Sequence, residues 1–185
     1  MNYAIKDGIY GKEIKLLRKK YGLSREELSE AFNISKRTIE KWETSNELIH
    51  GPIVLLLKAL KDHPDYLEEL KIPKMEFPLR LMYMEDRQIN TIIDVNIIEK
   101  RVKIKNYTNN IIARAFGNKE NITYEDYERF LESRCFPKTR DKIKIQLDLL
   151  GLSYYDPLMI IEKTQGKMAD DNYYIEIIRG NKWLN

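Results

Sequence analysis

The segment Ile72-Pro73-Lys74-Met75-Glu76-Phe77-Pro78 constrains this chain more than any other stretch. Proline lacks the amide donor that a helix or a central strand needs, and it biases the residue before it toward extended backbone. Neither a helix nor a sheet ladder runs through such a segment. The patterns on its two sides also differ. Residues 11–71 repeat apolar side chains at helical spacing, whereas residues 79–106 hold short runs rich in Ile, Val and Tyr, separated by turn residues. The expected fold class is α+β in two units. An N-terminal all-α domain covers residues 1–72, a linker covers 73–78, and a small mixed α/β module with an antiparallel meander covers 79–185.

The first unit carries legible helix boundaries. Ile14, Leu17 and Tyr21 form one apolar stripe, and Gly22 ends it. Ser24-Arg25-Glu26-Glu27 reads as a capping box, in which the serine hydroxyl accepts an early amide and Glu27 reaches back. Leu28, Ala31 and Phe32 are then expected to face inward. Asn33 suits a left-handed turn, and Ser35 reads as a second N-cap. Ile39 and Trp42 carry the stripe of a third helix, and Gly51-Pro52 opens a fourth.

Two short helices joined by a tight turn, the second of them N-capped, are the helix-turn-helix layout, whose second helix presents its first turns to a DNA major groove. With Ile39 and Trp42 turned to the core, Lys36, Arg37, Glu40 and Lys41 lie outward, with Thr38 on the first turn. Charge supports the same unit. Residues 12–41 hold nine basic residues against five glutamates, while the whole chain is only +3. Basic charge focused on one small unit suits phosphate attraction, although a solvated helical surface has a similar composition.

The run from Leu23 to Glu43 resembles the XRE (Cro/phage-repressor) helix-turn-helix family nearly residue for residue. The small residue usual in its second helix is Ser29 here, its turn glycine is Asn33, and its opening glutamine is Arg25. The resemblance implies DNA contacts from Lys36, Arg37, Thr38 and Lys41, with Arg25 and Ser35 near the backbone. It also implies that Arg18, late in the first helix, meets Glu43, which follows the aromatic residue of the third. The continuation from Gly51 to Leu70 is similar to the end of the DNA-binding domain in MqsA- and HigA-type antitoxins. That likeness implies a homodimer that represses its own operon on a double-stranded DNA operator and engages a toxin.

In the second unit, residues 79–84, 89–97 and 101–105 read as strands, and helices are expected at about 109–116, 123–134, 138–150 and 157–165. Residues 173–179 alternate weakly and suit a last strand. Arg134, Pro137, Lys138, Arg140 and Tyr155 gather basic and aromatic groups near expected helix ends. They form the candidate surface for a protein partner, since Arg and Tyr recur in interface hot spots. Arginines flanking a helix start could also bind phosphate, but ion pairing with Glu132 and Asp141 is the simpler reading of that composition. Residues 130–134, then Pro137 and Arg140, then residues 155–158 and 163–167 resemble small proteins encoded beside HipA-like kinases. This implies a kinase-like partner, and an alternative function as an interaction subunit whose helix-turn-helix only anchors the complex to DNA.

Other chemistries find little support. With 43% hydrophobic residues and mixed charges the chain is not a disordered type, and no apolar run approaches the ~20 residues of a membrane span. Residues 1–10 lack the apolar core of a secretory signal, so a cytoplasmic protein is expected. The single cysteine, Cys135, has no histidine at useful spacing, and no phosphate-binding glycine loop is present. Glu125, Asp126, Glu128, Asp170 and Asp171 are the carboxylates a divalent ion would need, but helix starts and turns explain them more simply. No catalytic residue, metal or cofactor is expected. A nuclease using those acids is the enzymatic rival.

Overall fold

The structure is a computed structural model, and it describes residues 4–180. The chain divides into two compact units, residues 1–72 and 73–185.

The first unit runs β1 (Ile9–Tyr10), α1 (Gly11–Lys20), α2 (Arg25–Phe32), α3 (Lys36–Thr44), β2 (Leu48–Ile49), α4 (Pro52–Asp62) and α5 (Tyr66–Leu70). Its core gathers Ile9, Ile14, Leu17, Leu28, Ile39, Leu57 and Leu60, with Tyr21, Phe32 and Trp42 packed against them. These are the expected stripes, except that Ala31 is exposed. A short antiparallel clasp, Ile9 opposite Ile49 and Tyr10 opposite Leu48, interrupts what reads from sequence as an all-helical unit. Two-residue strands carry no periodicity, so the pattern could not announce them. The clasp leads into a tight helix crossing. A Cβ added to Gly11 would lie 1.8 Å from the carbonyl oxygen of Trp42, so only glycine lets α1 start against the end of α3.

The second unit runs β3 (Leu79–Glu85), β4 (Gln88–Asn96), β5 (Arg101–Asn106), a 3-10 turn (Ile111–Ala113), α6 (Tyr124–Ser133), α7 (Ile143–Leu150), α8 (Pro157–Thr164) and β6 (Tyr173–Arg179). The sheet order is β5-β4-β3-β6, every neighbour antiparallel. Asp86 and Arg87, both at positive φ, make the two-residue turn of the first hairpin. Alternate residues Leu79, Leu81 and Tyr83 of β3, with Ile93 and Val95 of β4, face the helices and pack on Tyr127, Phe130, Leu131 and Ile161. On the other face Arg80 and Asp94, both buried, form a two-bonded pair at 2.6 and 2.7 Å. Residues 73–78, read as a linker, belong to this unit. Pro73 O accepts from Arg80 at 2.9 Å and Glu76 N donates to Asp94 at 3.2 Å.

Two expected helices are shorter than their composition suggests. The one at 109–116 reduces to the 3-10 turn, because the Asn110 side chain caps Ile112 N and Arg114 is already extended. The one at 138–150 begins only at Ile143, since Pro137 O closes a turn with Arg140 N and Lys142 adopts a left-handed φ of 56°.

Candidate nucleic-acid interface

Local capping sets the frame of the first unit. Ser24 Oγ accepts from Glu27 N at 3.1 Å while Glu27 Oε2 accepts from Ser24 N at 2.7 Å, so α2 starts with the expected capping box. Asn33 ends α2 in the left-handed region at φ 51°, and Ser35 Oγ accepts from Thr38 N at 3.1 Å to start α3. Ser29 Oγ closes the turn on Ile34 O at 2.5 Å. These bonds direct α3 so that Ile39 is buried, Trp42 half-buried, and Lys36, Arg37 and Lys41 exposed. Thr38 is half-buried, and its hydroxyl sits 2.7 Å from that of Ser35.

The cations on this face differ in freedom. Lys36 is ion-paired with Glu26 of α2, which lowers the Glu26 carboxyl and raises the lysine. Arg37 and Lys41 make no ion pair among the described residues. Arg25 is half-exposed and its Nε donates to Glu43 Oε2 at 2.9 Å. One nitrogen of the expected phosphate contact is therefore committed to the scaffold, and the rest of the guanidinium stays on the surface. Arg18 meets Glu43 as expected, with Nε–Oε1 at 2.6 Å and Nη2–Oε2 at 3.1 Å, and also donates to Leu23 O. Burial acts to raise the Glu43 carboxyl, but the two arginines outweigh it and hold the group below its ordinary 4.5. The share of Arg25 in this clamp carried no sequence signal, because eighteen residues separate it from Glu43.

The candidate partner surface of the second unit needs correction. Arg134 is only 7% exposed. Its guanidinium donates to Gly166 O at 2.9 Å, to both Asp171 oxygens at 2.5 and 3.0 Å, and to Tyr173 O at 3.1 Å. It ties together α6, the turn after α8 and the start of β6, and cannot contact a partner. Its acid is Asp171, not Glu132 or Asp141. Pro137, Lys138 and Arg140 are exposed on the turn before α7, and half-buried Tyr155 donates its hydroxyl to Phe136 O at 3.0 Å. Cys135 is buried, and burial pushes its thiol up to about 12, far from nucleophilic range.

The acids considered for a divalent ion are dispersed. Asp126 accepts from Lys119, Thr123 and Arg129, and Asp171 is taken by Arg134. Among the described residues no group of three or more His, Cys, Asp or Glu is placed to hold a metal ion. No helix among them is long and apolar enough to cross a membrane.

Comparison with known proteins agrees with this geometry. Residues 14–48 match the family model described as Helix-turn-helix. The chain is 33% identical over 58 residues to the antitoxin HigA-2 of Vibrio cholerae, covering 31% of this chain and 56% of that protein. It is 36% identical over 73 residues to an uncharacterized HTH-type transcriptional regulator of Rickettsia conorii, covering 37% of this chain and 58% of that one. The matched stretches thus span little more than half of each relative. The motif that α2 and α3 build in the first unit is a helix-turn-helix.

Proposed function

We propose that the chain is a sequence-specific DNA-binding transcriptional regulator that represses its own operon as an antitoxin or antitoxin-like protein, without catalysis of its own. The observation that carries this reading is the outer face of α3, where exposed Arg37 and Lys41 make no ion pair among the described residues, on a helix N-capped by Ser35. Arg or Lys against guanine is the commonest specific base contact in the major groove. One helix-turn-helix reads few base pairs, so a homodimer spanning half-sites about 34 Å apart is the economical arrangement. The similarity to HigA-2 supports the antitoxin role. In this reading the second unit takes the protein partner, a toxin or kinase-like protein.

The test is binding of the full chain to duplex DNA from upstream of its own gene, against a scrambled duplex, at two salt concentrations. A specific regulator prefers the upstream duplex by about 10³-fold or more at physiological salt, and its affinity falls steeply as salt rises. Equal affinity for both duplexes, or binding to neither, overturns the proposal.

A further inference from the structure

The sheet of the second unit has two edges, and their chemistry differs. β5 carries Arg101, Lys103 and Lys105, the charged composition by which proteins keep an edge strand from pairing. β6 has no lysine and carries Ile175, Ile177 and Ile178. It pairs with β3 from Tyr173 to Arg179 with no shift in register, so its outer edge is regular. Ile178 is 43% exposed, on the face away from the helices, where it neighbours Arg80.

Only half of that edge is closed. Successive residues of a strand turn their main-chain groups to opposite sides. Gly180 N donates to Pro78 O on the β3 side, whereas Ile175 N donates to Gln165 O off the sheet. Tyr173, Ile175, Ile177 and Arg179 therefore turn N–H and C=O outward. Tyr173 O is taken by Arg134, Tyr173 N by Asp171, and Ile175 N by Gln165. The outward groups of Ile177 and Arg179 have no hydrogen-bond partner among the described residues. Beside them a groove of about 580 Å³ runs between β6 and α8, lined by Ile161, Glu162, Gln165, Ile177 and Arg179 among others. Its walls hold two acids, Glu162 and Glu176, against one cation, Arg179, which pairs with Glu162.

We propose that β6 pairs antiparallel with β6 of a second copy of the chain, with Ile178 on the two-fold axis, joining two four-stranded sheets into one. The interface rests on the homodimer inferred above and gives it a place. The open groups select this register. Ile177 and Arg179 each exchange both main-chain bonds with the other residue of the second copy, and Ile178 packs on itself at a non-hydrogen-bonded position. Centring the pair on Ile177 would need Ile175 N, which Gln165 already holds. Centring it on Glu176 would set like charges opposite each other. In the chosen register the second copy's Arg179 lies opposite Ile177, beside the groove whose acids outnumber its cation. Each strand thus brings the charge that the facing groove lacks, as a self-complementary two-fold interface requires.

The test is sedimentation velocity on the full chain without DNA, from about 1 to 100 μM. Wild type sediments as a dimer in the upper part of that range. Ile178→Lys and Ile178→Glu, each checked for a native Tm, dimerise about tenfold or more weakly, because each sets like charges face to face. Mixed together they associate again, since lysine then meets glutamate across the axis. Leu149→Lys, at a 76% exposed position on α7, dimerises as wild type. A second measurement is independent of those charges. Opposite residues at a non-hydrogen-bonded position have Cα atoms about 4.5 Å apart, within disulfide range. Ile178→Cys therefore cross-links two chains on treatment with diamide, while Leu149→Cys does not, and native Cys135 is buried. A monomeric wild type overturns the proposal together with the homodimer. A dimer that Ile178→Lys leaves intact, charged variants that stay apart when mixed, or Ile178→Cys cross-linking no better than Leu149→Cys overturns this interface alone. Specific DNA binding is read separately by the duplex titration.

Discussion

Arg18 and Glu43 face each other as fork to fork, two nitrogens on two oxygens at 2.6 and 3.1 Å, with the glutamate side chain 1% exposed. Arg25 shares the second oxygen, with its Nε at 2.9 Å. The three residues belong to α1, α3 and α2 respectively, so one carboxylate joins all the helices that set the direction of α3. The cluster supports the outer face of α3 without forming part of it.

Removing that carboxylate should cost the first unit about 2–3 kcal/mol. This lies just below the usual cost of breaking a fully buried pair, because Arg25 retains access to water. Glu43→Ala measured by urea unfolding is the check. A loss under about 0.5 kcal/mol would mean that the helices hold their angle without it.

Glu43 also gives the unit an acid limit. Its folded pKa is depressed by the arginines, so folding favours the ionised form. The resulting stability is complete above the ordinary value of 4.5 and is lost as pH falls through the lower folded value. Stability curves from pH 7 down to about pH 3 should show wild type converging on Glu43→Gln in that acid window and standing apart from it above. A constant gap across the whole range would remove the glutamate from the acid response.

Within the α3 face the three cations should not weigh equally. Arg37→Ala should cost ~1–3 kcal/mol on the true operator, as for a bidentate base contact, and much less on random DNA. Lys36→Ala should cost less than Arg37→Ala, because Glu26 already neutralises part of that lysine. Anisotropy titrations on both duplexes separate these cases. Equal losses on operator and random DNA would make Arg37 a phosphate contact only.

What could be read in advance followed the range of the interaction. The Ser24–Glu27 box, the Asn33 turn and the Ser35 cap each act within a few residues, and each stands where local chemistry places it. Arg18 and Glu43 were recognisable through family resemblance, although they are 25 residues apart. Arg134 was misjudged because nothing near it in sequence shows that Asp171, 37 residues on, will take its charge. The start of α7 was misplaced for a related reason. Lys138, Thr139 and Arg140 do not rule out a helix, and only the left-handed backbone at Lys142 does. Tyr127 lies in the core, and that its hydroxyl has no hydrogen-bond partner among the described residues appears only once its neighbours are in place.

The environment of Arg134 predicts a charge-conserving change that fails. Lysine cannot reproduce four donor bonds directed at Asp171, Gly166 O and Tyr173 O. Arg134→Lys should destabilise the second unit by about 2–4 kcal/mol, on the scale of a broken buried pair, and leave the first unit's transition in place. Calorimetry on the full chain reads both transitions. A second unit unaffected by Arg134→Lys would show that the charge alone, and not the fork, holds β6.

The placement of β6 beside β3 has a consequence during synthesis. Among the described residues the core of the first unit draws on residues 9–67, so it can close as soon as that stretch has left the ribosome. In the second unit β3 is made first, but one of its two edges waits for β6, after every other element has been made. Until then the buried faces of Leu79, Leu81 and Tyr83 end at an open edge, the kind of surface that chaperones shield and nascent chains aggregate through. The nascent chain therefore carries a finished helix-turn-helix followed by an incomplete sheet, and the second unit depends for that interval on whatever protects the edge of β3.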